Sequence, residues 1–152
     1  MELTTFAVFL GACIAAAATG MIFQPGSWYE ALKKPDWTPP RWAFPVVWTI
    51  LYVLIAVAAA RVAAVPDSGT ALAFWSLQIA LNTLWTPVFF GGHRKRAGLI
   101  IIVLLWLCVA AMIPLFWVLD AFASLLLVPY LAWLSVATAL NFWIWRNNPD
   151  RT

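Results

Sequence analysis

Five long apolar runs occupy most of this chain, and they decide its solvent before any motif is read. They fall near residues 5–23, 43–64, 71–90, 97–119 and 121–146. Each approaches the ~20 residues that an α-helix needs to cross a hydrocarbon core of ~30 Å. The runs are continuous rather than alternating, so helices, and not the strands of a closed barrel, satisfy the backbone in lipid. Only 10% of the residues are charged and 64% are hydrophobic, against roughly 25% charged in a soluble domain. The expected fold is all-α: one integral membrane domain over 1–152, built as a five-transmembrane-helix bundle. The first run follows Glu2 with no Lys or Arg ahead of it, unlike a secretory leader, and is read as a retained helix.

Five spans place successive connections on alternate faces. One face receives Lys33, Lys34, Arg41, Arg94, Lys95, Arg96, Arg146 and Arg151, eight of the nine basic residues; the other receives Arg61. By the positive-inside rule the N-terminus lies outside and the C-terminus in the cytoplasm, in a bacterial cell membrane. Arg94-Lys95-Arg96 is read as a topology determinant that touches lipid headgroups; so short a run predicts no nucleic-acid partner. Cys13 and Cys108 fall inside spans, behave as small hydrophobes, and have no metal-ligand spacing. The single His93, in a basic loop, is read as solvated.

The first connection, 24–42, is long for a compact bundle and carries Trp28, Tyr29, Trp37 and Trp42. Loops of this length are functional or disordered, and so many aromatic side chains need burial. A lid over the mouth of the bundle is the expected solution. Pro25-Gly26 ends the first helix, Ser27 is placed to cap a short helical turn, and Pro39-Pro40 imposes an extended approach to the second span. Of the eleven tryptophans, Trp28, Trp42 and Trp145 near span ends also fit an interfacial aromatic belt, whereas Trp48, Trp85, Trp106 and Trp133 lie deeper. Along the first span, Gly11, Ala15, Thr19 and Ala12, Ala16, Gly20 form small-residue stripes that suit close packing either within the bundle or in a dimer.

Polar groups inside spans are costly in lipid and turn toward the bundle interior. Here they are Thr19, Thr49, Gln78, Asn82, Thr83, Thr86, Thr138 and Asn141; no acidic or basic residue is placed deep in a span. A proton-coupled exporter wants a titratable carboxylate near the midplane, so that class is disfavoured. Gln78, Asn82, Trp85 and Phe89 share one helical face. Phe44, Trp48 and Tyr52 recur at spacing four in the second span, as do Trp133, Ala137 and Asn141 in the fifth. Two outcomes compete: ordinary packing with amides bonded between helices, or an apolar small-molecule pocket with a few polar fixings. Pro87 frees the carbonyl of Thr83 and would widen the wall beside Asn82. Stacked indoles suit a large flat ring system, and Lys33, Lys34 and Arg41 on the lid could pair with carboxylates at its rim. A tetrapyrrole with propionate arms meets both demands; a sterol or another hydrophobic ligand to be transported meets the first but not the charge pairing. No acid, base, nucleophile or metal set is present for conventional catalysis.

The stretches WYEALKKPDWTPPRW (28–42), PVVWTILY (45–52), LNTLWTPVFFG (81–91) and PYLAWLSVATALNFWIWRN (129–147) resemble, in order, the motifs of the TspO/MBR family. That resemblance runs essentially end to end. It implies a five-helix bundle, often a homodimer, that takes porphyrins, haem and benzodiazepine-type molecules as ligands, with no cofactor required. It assigns ligand contact to Phe44, Trp48, Asn82, Phe89, Trp133 and Ala137, with Trp37 in the lid; Trp85 and Asn141 join them from the helical faces above. It further implies, as an alternative to transport, sensing or regulation, a light- or oxygen-dependent degradation of bound porphyrin in which Trp48 and Trp133 are the redox-active side chains. A structural or regulatory membrane partner is the third alternative. Animal members carry a tyrosine in their cholesterol motif; residues 140–146 here have none, which favours tetrapyrroles over sterols.

Overall fold

A computed structural model describes residues 1–148, so the expectation for Arg151 lies outside the described residues. It contains helices α1 (Leu3–Ile22), α2 (Ser27–Ala31), α3 (Ala43–Ala63), α4 (Gly69–Thr86), α5 (Lys95–Trp117) and α6 (Ala121–Asn147), with a π-helical turn at Pro87–Gly91 between α4 and α5. Among the described residues there is no strand. Helices α1, α3, α5 and α6 are long and apolar enough to cross a membrane. α4 is the exception: its 18 residues include Gln78 and Asn82, both buried, which lower its hydropathy.

The principal contacts close a ring in the order α1, α3, α6, α5, α4. Its centre is filled by Leu51 and Ile55 of α3, Met112 and Phe116 of α5, and Leu127, Tyr130 and Leu134 of α6. The buried alanines Ala56, Ala58, Ala59 and Ala60 let neighbours approach α3 closely, as small residues do in membrane bundles. α1 is the outlier. Only Cys13 and Ala16 of its twenty residues are buried, and a Cβ added at Gly11 or Gly20 would touch nothing. The Gly11 stripe therefore makes no close packing inside this bundle. Cys13 and Cys108 are both buried free thiols, and Cys108 donates weakly to the Phe74 carbonyl at 3.3 Å.

Three local expectations are corrected. Ser27 is the first residue of α2 rather than its cap; Gly26 occupies that position and offers no side chain. The proline at 87 produces a π-turn instead of a plain kink: without an N–H it cannot continue the α pattern, and the ladder re-forms with the Gly92 N–H donating to the Pro87 carbonyl at 2.7 Å. Lys95 is fully buried instead of reaching headgroups, because α5 begins there against α6 and its ammonium donates to the Asn148 carbonyl. On the opposite face, Arg61 donates to Asp120 at 2.9 and 3.3 Å, and Asp120 caps α6 by accepting from the Ala123 N–H.

Candidate functional site

The faces read from the sequence converge at the end of the bundle covered by the first connection. On α3, Phe44, Trp48 and Tyr52 stand one turn apart, and Trp48 stacks on Tyr52 with ring centroids 5.5 Å apart. Trp48 also meets Tyr130 edge-on at 6.2 Å and Trp133 at 6.5 Å, both on α6. Phe44 packs edge-on against Trp133 at 5.5 Å. The rings fill their own space, an arrangement that favours edge-to-face contacts over flat sandwiches.

Beneath them runs a chain of hydrogen bonds that explains why α4 tolerates amides. Tyr52 donates to Asn82 Oδ1 at 2.9 Å, Asn82 Nδ2 donates to the Tyr130 hydroxyl at 2.9 Å, and that hydroxyl donates to Gln78 Oε1 at 2.6 Å. A second amide, Asn141 on α6, accepts from Trp85 Nε1 at 3.0 Å and donates to the Lys95 carbonyl at 3.0 Å. Trp85 in turn stacks on Phe89 at 5.1 Å. Gly98 fits tightly here: a Cβ on it would sit 3.0 Å from the Phe89 ring and 3.3 Å from Asn141 Oδ1, so its neighbours would have to give by a few tenths of an ångström. By contrast, Thr19, Thr49 and Thr83 bond back to their own helices and take no part in the convergence.

Between these groups and the loop lies a hollow of about 10 Å³ lined by Tyr29, Phe44, Trp85, Phe89, Ala137 and Asn141, among others. That volume is at the threshold for a single water. The expected ligand positions thus divide. Phe44, Trp85, Phe89, Ala137 and Asn141 line the hollow; Trp48, Asn82 and Trp133 form the ring-and-amide cluster beside it. Trp37 is half exposed and does neither. The larger cavity, about 440 Å³, lies elsewhere, in an open apolar groove between α5 and α6 lined by Leu99, Val103, Trp106 and Thr138 among others.

The lid meets the bundle through α2, the short helical turn expected after Pro25-Gly26. Tyr29 is buried and packs edge-on against Phe90 at 5.4 Å. Burial, with the nearby Glu30 charge, raises its phenol above the ordinary tyrosine value, and Arg41 only partly opposes this. Trp28 stacks face to face on His93 at 4.5 Å and edge-on against Phe89 at 5.5 Å, so it is a lid contact, while His93 itself stays exposed, as its loop suggested. The three cations proposed for propionates are unequally placed. Lys34 donates to the carbonyls of Tyr29, Glu30 and Leu32, stapling the end of α2. Arg41 is bound to the Glu30 carboxylate and the Pro25 carbonyl. Lys33 alone keeps an ammonium without a partner among the described residues. Tyr52 and Tyr29 stood on the expected face and lid without a role assigned to them, and Tyr130 is the residue missed; its signal was a hydroxyl in mid-span three residues before Trp133, which had to find a polar partner.

Comparison with known proteins gives a consistent match. The model of the TspO/MBR family matches residues 5–146. The chain is 54% identical to Protein CrtK of Rhodobacter capsulatus, over 98% of this chain and 96% of that protein. It is 50% identical to the Tryptophan-rich sensory protein of Cereibacter sphaeroides, covering 99% and 96%. To the Translocator protein of Homo sapiens it is 35% identical over 80% of this chain and 75% of that one.

Proposed function

The chain belongs to the TspO/MBR family and is a multi-pass membrane protein of the bacterial type; from that premise we propose that it binds tetrapyrroles, protoporphyrin IX or haem, in the aromatic site under its first loop, and acts in porphyrin transport, sensing or regulation. The observation that carries this reading is the meeting of Phe44, Trp48 and Trp133 from two helices beside a shut hollow whose cover is Tyr29. A ligand the size of a porphyrin enters only if the rings part and the loop lifts, so binding is coupled to opening. Of the basic residues on the loop, Lys33 is the one poised to meet a propionate; Lys34 and Arg41 contribute after exchanging their present partners. α4 spans the membrane as the fifth helix, its amides hidden inside the ring, with the N-terminus outside. The outer face of α1, with Gly11 and Ala15 exposed, is the surface for a second copy.

The test is a titration of detergent-solubilised protein with protoporphyrin IX. Saturable quenching of tryptophan emission that weakens in Trp133→Phe and in Phe44→Ala is expected. Linear quenching unchanged by either variant would sink the proposal. Porphyrin degradation is a second reading, favoured by Trp48 lying among three oxidisable rings, Tyr52, Tyr130 and Trp133. Under illumination in air, a Trp48→Phe, Trp133→Phe double variant should then consume porphyrin more slowly than wild type; equal rates leave binding alone.

A further inference from the structure

The loop is held to the bundle at a residue outside the aromatic cluster, through the backbone of one of the lid cations. Asn148, which ends α6, lies 115 positions from Lys33 in sequence yet clasps its backbone from both sides. The Lys33 N–H donates to Asn148 Oδ1 at 3.0 Å, and Asn148 Nδ2 donates to the Lys33 carbonyl at 3.0 Å. The other Nδ2 proton goes to the Ile144 carbonyl at 2.9 Å, fixing the side chain against its own helix. The main-chain carbonyl of Asn148 accepts from the ammonium of the buried Lys95. A paired amide of this kind copies one rung of a β-ladder, and only Asn, with an acceptor and two donors in a short side chain, makes all of these bonds at once.

These bonds continue to the hollow. Lys95 gives its carbonyl to Asn141, and Asn141 accepts from the Trp85 indole. Trp85 and Asn141 are wall residues. One unbroken path of hydrogen bonds therefore joins wall to cover: Trp85, Asn141, Lys95, Asn148, Lys33. We infer that Asn148 is the latch of the first loop, holding it shut from the end of α6 and linking its release to the position of the pocket wall. The inference rests on reading residues 24–42 as the cover of a ligand site. A guest that displaces Trp85 or Asn141 strains the Lys95 contact and loosens the latch, and any partner that draws the end of α6 away opens the loop from outside.

The experiment is amide hydrogen exchange on the full chain in detergent without any guest, comparing wild type, Asn148→Ala and Asn148→Asp. The alanine variant loses both bonds to Lys33, and exchange across the loop should rise roughly tenfold or more, most clearly at the Lys33 amide. The aspartate variant keeps an acceptor for that amide but turns a second oxygen toward two carbonyls, so it too should loosen the loop. In both, α3 to α6 should exchange as in wild type. Unchanged loop exchange in the two variants overturns the inference, and so does a rise spread evenly through the long helices, which would make Asn148 a support of the bundle rather than of its cover. Because no guest is present, the outcome is separate from the porphyrin titration: absent quenching defeats the ligand reading, and a rigid loop in the variants defeats the latch.

Discussion

Asn82 shows how much one side chain can be asked to hold. It accepts from Tyr52 and donates to Tyr130, and Tyr130 is fully buried. Asn82→Ala leaves the Tyr52 hydroxyl without its acceptor while Tyr130 still donates to Gln78, and a buried polar group stripped of its partner costs about 1–3 kcal/mol. Thermal unfolding in detergent should register that loss, whereas Tyr52→Phe, which removes a single donor and keeps the ring stack on Trp48, should cost less. Asn82, Trp48 and Trp133 were legible in the sequence because spacing puts them on inward faces. Their separation from the hollow was not, since it depends on ring orientations that only neighbouring helices decide. Lys95 was illegible for the same reason: in a run of three basic residues nothing distinguishes the one that turns inward.

At the scale of elements, long apolar runs announce α1, α3, α5 and α6 directly, and their ends fall within two residues of those expected. α2, with five residues, is too short for a periodic signal and was legible only from the Pro25-Gly26-Ser27 punctuation, which misplaced its cap by one residue; the π-turn follows from a bonding shift that Pro87 permits without specifying. The junction of α5 and α6 carries a pH dependence. Burial alone would raise the Asp120 carboxyl, but the hydrogen bond from Arg61, the Ala123 N–H and the Arg61 charge together bring it below the usual carboxylate range. A carboxyl depressed by folding adds stability above its unfolded pKa, about 3.9 for Asp, and that addition vanishes as the pH falls through the lower folded value. Melting temperature should therefore drop below about pH 4. Asp120→Asn should flatten part of that drop and, by losing the ion pair and weakening the cap, lower stability at neutral pH by about 1 kcal/mol.

For the whole molecule, topology and assembly are both open to direct measurement. Cys13 and Cys108 are buried, so the native chain is a quiet background for thiol labelling. A cysteine placed at Asp67 should react with a membrane-impermeant maleimide added to intact cells, and one placed at Arg96 should react only after the membrane is breached; the reverse pattern would invert the orientation. Gly11→Ile tests the outer face of α1. Since a Cβ there meets nothing within the protomer, the variant should keep the fold of the protomer, and a dimer built on that face, as proposed, should fall to monomer in size-exclusion chromatography with light scattering. The shut hollow has one more consequence. With about 10 Å³ left among Tyr29, Phe44, Trp85 and Phe89, a guest at the proposed site would compete with the protein's own rings for the same space. Apparent affinity then scales with the fraction of molecules already open. Trimming a ring that takes part in closure but not in guest contact should tighten binding.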